Sequence, residues 1–223
     1  RLLFPGEYMV YTTDPGKVME QFHTDNPDHF VVTETFPSFP NDAGTVLLTD
    51  KWMQPLDRLD YDEKMHFSLL KDSEGVTLER IHPDRASDDP TNWQSAAQTS
   101  GYGTPTYKNS QFSEQTNSKN VISLEPEVFS PDNDGKDDIL NIHYRFDQPG
   151  SVATVRIYDA KGRLVRHLIN NRTVDTEGFF SWDGLDDQRR KAKMGIYVIY
   201  VEVYNLEGEV RSYKVSCVLA GRL

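Results

Sequence analysis

Cysteine is almost absent from this 223-residue sequence, because Cys217 is the only one. A single cysteine excludes an internal disulfide framework and a metal site built from several cysteines. Cys217 lies in the alternating segment YKVSCVLA, so we expect a small buried strand residue and not a reactive thiol. The sequence also lacks any run of about 18 apolar residues, and it therefore predicts no membrane-spanning helix.

Recognisable catalytic motifs are also missing. The histidines form no H-E-x-x-H pair, and none lies in a G-x-S-x-G, Walker A or G-x-G-x-x-G context. The segment DYDEKMHFSLLKD does bring three acidic residues close to a histidine, which would suit a metal or acid/base cluster. A solvated loop before a strand explains the same segment, and the sequence predicts a protein that is not an enzyme. The acidic residues are Asp60, Asp62 and Glu63, and the histidine is His66.

The charge of the chain is negative and uneven. Net charge is −11, and residues 1–112 carry 9 basic and 18 acidic side chains. An acidic first half argues against binding to a phosphate backbone, so we expect no nucleic-acid partner. The first residues, RLLFPGEYMV, have no signal-peptide layout and read as strand sequence from within a domain. We therefore expect a chain whose upstream part, with any secretory signal, is missing.

Short alternating runs separated by Gly, Pro, Asn and Asp dominate the chain, which is typical of an all-β sandwich or barrel. Helical periodicity is scarce, and the best candidate helix is Asp14 to His23, with Asp14 as a cap and Pro15 at the first helical position. Residues 113–120 are polar and aperiodic, as exposed linkers are. We predict two immunoglobulin-like β-sandwich domains in tandem, at residues 1–112 and 121–223.

The second domain shows hairpin patterns. The segment VRIYDAKGRLVRHL places apolar residues on both sides of the turn DAKG, where Gly162 is free to take a positive φ. In GIYVIYVEVYNLEGEVRSYKVSCVL a long strand turns at NLEG and returns. Alternation along the first of these strands predicts one apolar face, with Tyr197, Ile199, Val201 and Val203 on it.

The segment FFSWDGLDDQRRKAKMGIYVIYVEV resembles the immunoglobulin-like repeat of the flagellar hook-capping (FlgD-like) family. That repeat reads roughly W-D-G-x-D-x-x-G, then G-x-Y, and the sequence departs from it at Arg189, where the family usually has glycine. The resemblance covers about residues 121–223 and implies a structural role, with Trp182 as the core anchor. The matching residues are Trp182, Asp183, Gly184, Asp186, Gly195 and Tyr197.

The same domain resembles C-terminal domains of proteins exported by the type IX secretion system of Bacteroidota. Those domains commonly open with F-[ST]-P-N-x-D-G-x-N-D, which FSPDNDGKDD fits, and close with a G-x-Y strand, which GIYVIYVEV fits. The resemblance implies passage across the outer membrane and display on the cell surface.

The opening FSPDNDGKDDIL is also a candidate calcium loop. Asp132, Asp134 and Asp138 surround Gly135 with the spacing D-x-D-G-x-x-D, and alternate carboxylates of a tight turn can converge on one hard cation. Lys136 could ligate through its backbone carbonyl, although a complete EF-hand is excluded. The alternative is a turn that the aspartates hold without a metal. Mutual repulsion of the carboxylates favours structural calcium.

The end of the first domain resembles a lamin tail domain, a small immunoglobulin-type sandwich. The segment GVTLERIHPDRASDDPTNWQSAAQTSGYGTPTYKNSQ follows that family's S-L-E-R, N-W, S and G-T-P-G-x-x-N, with Thr77 and Thr106 as departures. The resemblance implies Trp93 in the core, with Glu79 and Arg80 satisfying polar groups near it. The family's opening strands are absent.

Together these patterns predict a non-catalytic, extracytoplasmic protein of the cell surface or outer membrane. Its C-terminal domain would serve export or attachment, and its lamin-tail domain would be a binding or spacer module. Secretion or surface-assembly proteins of the outer membrane are the expected partners. Two alternatives stay open: accessory domains of a secreted hydrolase whose catalytic part lies upstream, and a structural subunit of an outer-membrane complex.

Overall fold

The computed structural model describes residues 3–68, 70, 72–113 and 121–221, without the side chain of Val121. The chain divides into two compact units, Arg1–Glu114 (unit 1) and Gln115–Leu223 (unit 2). Of the predicted linker 113–120, only Ser113 is among the described residues. Strands predominate in both units, which confirms the all-β class. None of the helices in the described part is long and apolar enough to cross a membrane.

Unit 1 contains one α-helix and three two-stranded sheets in its described part. The helix α1 is Pro15–Gln21, and the Asp14 side chain accepts a hydrogen bond from the Lys17 N–H at 3.2 Å, which confirms the predicted helix and its cap. One sheet is parallel and two are antiparallel. The pairs are β1 (Val10–Thr12) with β2 (Phe30–Val32), β3 (Ala43–Thr49) with β4 (Pro55–Asp62), and β5 (Leu78–Arg80) with β6 (Trp93–Ser95). The described part of unit 1 also contains short 3-10 helices at Pro27–His29, Glu63–Met65 and Pro90–Asn92.

The interior of unit 1 is unusually polar. Its buried apolar residues in the described part are Phe67, Ile81, Ala96 and Ala97. The Glu79 carboxylate, 4% exposed, lies in the same interior, where buried charges need several hydrogen bonds. It receives them from the Thr104 hydroxyl, from the Ser110 hydroxyl at 2.6 Å and from the Gln111 N–H at 3.2 Å.

Unit 2 is a β-sandwich of a five-stranded and a three-stranded sheet. The larger sheet has the order β11-β10-β13-β14-β8, and the smaller has the order β12-β9-β7. The chain changes sheets between β7 and β8, because β7 pairs with β9 whereas β8 pairs in parallel with β14. The strands are β7 (Val121–Glu125), β8 (Val128–Phe129), β9 (Leu140–Arg145), β10 (Val152–Asp159), β11 (Leu164–Thr173), β12 (Glu177–Trp182), β13 (Gly195–Tyr204) and β14 (Val210–Leu219).

The core of unit 2 lies between these sheets and follows the predicted alternation. Tyr197, Ile199, Val201 and Val203 on β13 are all buried, at 5% exposure or less. Cys217 is buried on β14, as its alternating segment predicted. The two predicted turns also form, and Gly162 closes the first with a φ of 75°, a conformation that favours glycine.

Trp182 is the centre of this core, as predicted. Its side chain is fully buried, and its ring centroid lies 5.2 Å from that of Phe129 and 5.0 Å from that of Tyr197. The indole N–H donates a hydrogen bond to the Leu185 carbonyl at 2.9 Å. Because a buried indole N–H needs an acceptor, this bond fixes the ring and the start of the following loop together.

Candidate functional site

The acidic loop of unit 2 connects β8 to β9. It begins where the Ser130 N–H donates to the Asp137 carbonyl at 2.8 Å, which closes the base of the loop. Pro131 lies against the loop after β12, since a Cβ at Gly184 would come within 2.7 Å of the Pro131 ring. Gly184 has a φ of 74°, so both its conformation and this close approach exclude a side chain there. The acidic loop is thus seated on the end of the sandwich.

Three of the four predicted metal ligands converge in this loop. Asp132, Asp134 and Asp138 each offer a carboxylate oxygen, and these oxygens lie within 4.8 Å of one another. Oxygens bound to one calcium ion at about 2.3–2.6 Å are separated by distances of this order. Asp134 is exposed, and the other two carboxylates are half-buried. Lys136, the fourth predicted ligand, is exposed, and its N–H donates a hydrogen bond to the Asp134 carboxylate.

The same carboxylates organise the backbone of the loop. Asp138 accepts hydrogen bonds from the Asn133 N–H at 2.6 Å and from the Gly135 N–H at 2.8 Å. Asp132 accepts from the Asp134 N–H at 3.2 Å, and Asp134 accepts from the Lys136 N–H at 2.9 Å. These bonds are the turn-forming bonds that aspartates make in loops without a metal. Among the described residues, Asp132 and Asp134 each accept this one hydrogen bond, through Oδ1, so the Oδ2 atom of each remains available to a cation.

The loop after β12 has a structural role. Asp183 accepts a hydrogen bond from the Leu185 N–H at 3.1 Å, which holds the turn that follows. Hydrogen bonds from the Arg190 backbone and side chain hold the pKa of Asp186 below its ordinary value. Arg189 has a φ of 62°, so it adopts a glycine-favouring conformation at the position where the FlgD-like pattern has glycine. The departure therefore keeps the turn and places an arginine in it.

The acidic and histidine side chains between Asp60 and His66 do not form one site. Asp60 accepts from the Thr45 hydroxyl at 2.6 Å, and this bond, followed by one from Arg58, lowers its pKa. His66 pairs with the Ser95 hydroxyl at 2.9 Å, and burial lowers its pKa. Among the described residues, the cluster in the acidic loop is the one group of at least three potential metal ligands that converges.

A shallow depression on the outer face of the three-stranded sheet was not predicted from the sequence. It has a volume of about 470 Å³, and the exposed ring of Phe179 lies 5.7 Å from the ring of His143 in it. Arg145 pairs there with Glu177 at 3.6 Å. These residues alternate with buried residues along β9 and β12, but their meeting depends on the pairing of these two strands, which are distant in sequence.

One protein family is similar in sequence to part of unit 2. Residues 123–217 match the family described as "CHU_C Type IX secretion signal domain". This match covers the chain from β7 into β14, which is less than half of all residues. No curated protein sequence matches the chain significantly.

Three solved structures have partial likeness to the chain, each at 20% identity. PorZ, a bacterial surface component of the type IX secretion system of Porphyromonas gingivalis, has a TM-score of 0.33, with 52% of this chain and 13% of PorZ covered. Dimeric latent PorU of the same organism has a TM-score of 0.36, with 47% and 10% covered. FlgD from P. aeruginosa has a TM-score of 0.30, with 36% and 61% covered.

This chain therefore spans only small parts of PorZ and PorU and about three fifths of FlgD. At these TM-scores the likenesses carry no conclusion about activity, and the family match is the informative comparison. Unit 2 is similar to a type IX secretion signal domain, and this similarity supports a protein exported to the cell surface or the extracellular space.

Proposed function

We propose that the chain is a non-catalytic protein of the bacterial cell surface whose unit 2 directs export and attachment at the outer membrane. The observation that carries this proposal is the family match at residues 123–217, which falls within one sandwich with its own core. Both ends of the match lie in strands of that sandwich, so the matched segment is a folded domain and not a short peptide signal. Secretion or surface-assembly proteins of the outer membrane are its proposed partners.

Deleting unit 2 tests this proposal. The full chain and a chain that ends at Glu114 are expressed, with the same upstream secretion signal, in a bacterium that has a type IX system. Protease added to intact cells should digest the full chain, whereas the shortened chain should stay protected in the periplasm. An equal surface fraction of the two chains would contradict the proposal, and a periplasmic enzyme assayed in parallel controls for cell lysis.

For unit 1 we propose a lamin-tail-like binding or spacer module. Residues that carry the sequence resemblance lie together here: Thr104 donates to Glu79, and the Asn109 side chain donates to the Arg80 carbonyl at 2.9 Å. Trp93 is half-buried, and its indole N–H donates to the Ser87 carbonyl at 2.9 Å. The residues that carry this resemblance would thus serve to hold the end of the domain together, which suits a scaffold better than a catalytic centre.

We further propose that the acidic loop of unit 2 binds structural calcium through Asp132, Asp134 and Asp138, with the Lys136 carbonyl as a further ligand. The support is the approach of three carboxylates in a loop that crosses the end of the sandwich. A bound cation would offset the repulsion among these carboxylates, and it would stabilise unit 2 after export into calcium-rich surroundings.

Calorimetric titration and thermal melts of the full chain, with calcium and with chelator, test the calcium proposal. Calcium should raise the melting temperature of the chain, and Asp134→Asn should remove both the binding heat and this increase. Asp137→Asn is the matched control, since Asp137 lies in the same loop but outside the converging cluster. No binding heat and no change in melting temperature would make the loop a polar turn only.

A further inference from the structure

The turn between β3 and β4 of unit 1 shares its hydrogen-bonding scheme with three turns of unit 2. The Asp50 N–H donates to the Gln54 carbonyl at 2.9 Å, and the Met53 N–H donates to the Asp50 carbonyl at 3.1 Å. The Asp50 carboxylate accepts from the Trp52 and Gln54 N–H groups, both at 2.8 Å. The same four bonds recur in unit 2 at residues 159–163, 186–190 and 205–209.

The third and fourth residues of the β3–β4 turn set it apart from the other three. There they are Trp52 and Met53, which are 69% and 76% exposed. Met53 has a φ of 63°, a conformation that favours glycine. Because the same turn forms in unit 2 without apolar side chains at these two places, folding of the turn does not account for them. The corresponding pairs in unit 2 are Lys161 with Gly162, Gln188 with Arg189, and Glu207 with Gly208.

Exposed apolar side chains surround this end of the hairpin. Leu47 and Leu48 are successive strand residues and point to opposite faces, yet they are 51% and 56% exposed. Leu56, on the other strand, is 64% exposed. A protein that packs on a sheet or adds a strand to it covers one face or one edge, whereas a lipid surface surrounds whatever inserts into it. We define the apolar tip as Leu47, Leu48, Trp52, Met53 and Leu56.

The polar groups of the turn also suit insertion into lipid. Within residues 43–56 the charged side chains are Asp50 and Lys51, so the net charge of this segment is zero. The four turn bonds already provide acceptors for their N–H groups, and insertion would leave none of these donors without a partner. The Lys51 ammonium lies 4.2 Å from the centroid of the Trp52 ring. A tryptophan at the level of the headgroups, with a lysine that reaches their phosphates, is typical of a membrane interface.

We propose that the apolar tip of unit 1 inserts into the interfacial region of a zwitterionic lipid surface. Leu48 and Leu56 lie two residues outside the turn, roughly 7 Å at about 3.3 Å per residue, and interfacial segments reach depths of about 5–10 Å. The chain carries −11, which repels anionic lipid, so burial of apolar surface and not attraction between charges would hold the tip in place. This contact is independent of the export role proposed for unit 2.

Flotation of the full chain with vesicles of phosphatidylcholine tests this proposal. We expect the chain to float with the vesicles, and we expect phosphatidylcholine with brominated acyl chains to quench its tryptophan emission, because Trp52 enters the interface. Trp52→Gln combined with Met53→Gly introduces residues that turns of unit 2 already carry at these places, so the fold should persist. This double variant should lower the partition coefficient about tenfold or more, since it removes two apolar side chains from contact with lipid. Leu206→Gln is the matched control: it removes an exposed apolar residue from a turn of the same scheme, and it should leave partitioning unchanged.

The composition of the vesicles separates insertion from attraction between charges. Phosphatidylglycerol mixed into the vesicles should weaken binding at low salt, and physiological salt should reverse this effect, because it screens the repulsion. A chain that does not float with phosphatidylcholine would overturn the proposal, and so would binding that occurs only with phosphatidylglycerol. Equal partitioning of the double variant and the unaltered chain would overturn it as well. Circular dichroism of each variant separates loss of binding from loss of fold.

Discussion

Replacing Trp182 by phenylalanine should destabilise unit 2 by about 2 kcal/mol. The smaller ring leaves a gap of about 40 Å³, which costs about 1 kcal/mol at the rate measured for buried cavities. Losing the indole N–H removes its bond to the Leu185 carbonyl, which costs about 1 kcal/mol more. Both contributions follow from full burial of the side chain between Phe129 and Tyr197.

The single cysteine makes the measurement specific to unit 2. Cys217 is 2% exposed in the folded sandwich, so a brief pulse of an alkylating reagent labels only chains whose unit 2 is unfolded. Labelling across a urea series gives the free energy of unfolding of that unit within the full chain. With a slope of about 1–1.5 kcal/mol/M for a domain of this size, the midpoint should fall by about 1.5 M. A shift below about 0.3 M would refute the role of Trp182 as the core anchor.

Three further predictions use the same molecule. Burial raises the pKa of the Cys217 thiol from 9.0 to about 12, so the folded chain should resist alkylation at pH 9. The folded state favours the protonated thiol, and this contribution to stability is therefore complete below pH 9. It is lost as the pH rises through about 12. Arg189→Gly should stabilise unit 2 by up to about 1 kcal/mol in the labelling assay. Glycine removes the strain of a left-handed backbone at this position, and this gain exceeds the added conformational entropy of the unfolded chain. A loss of stability would contradict this reasoning. Glu79→Gln should lower the free energy of unfolding of unit 1, followed by far-UV circular dichroism, by about 1–3 kcal/mol. The reason is that the new amide NH₂ group would face hydrogen-bond donors. Glu74→Gln, at an exposed position, should have no effect.

Local patterns predicted the parts of the fold that local chemistry decides. Asp14 caps α1 and Pro15 lies in its first turn, as predicted, and the alternation of β13 decides which of its faces is buried. The resemblance to the FlgD-like repeat also implied Trp182 as the core anchor, and its full burial agrees with this. These features depend on residues a few positions apart, which a sequence displays directly.

Features that depend on distant pairing could not be predicted in this way. The change of sheets between β7 and β8 requires β14, which lies some 90 residues later. The lamin-tail resemblance implied Trp93 in the core, but Trp93 is half-buried, and its indole N–H donates to the Ser87 carbonyl, a partner that composition does not reveal. The acidic loop was predicted as a place where carboxylates meet, and calcium binding by it stays a prediction.

The most direct test of the central claim is whether unit 2 alone is sufficient for export. Residues 115–223 are fused after a reporter protein that carries a secretion signal, and the fusion is expressed with and without a working type IX system. We expect the reporter to become accessible to antibody on intact cells only when the system works, and we expect Trp182→Ala to reduce this accessibility. A reporter that remains in the periplasm in both strains, although the fusion is folded, would contradict the account.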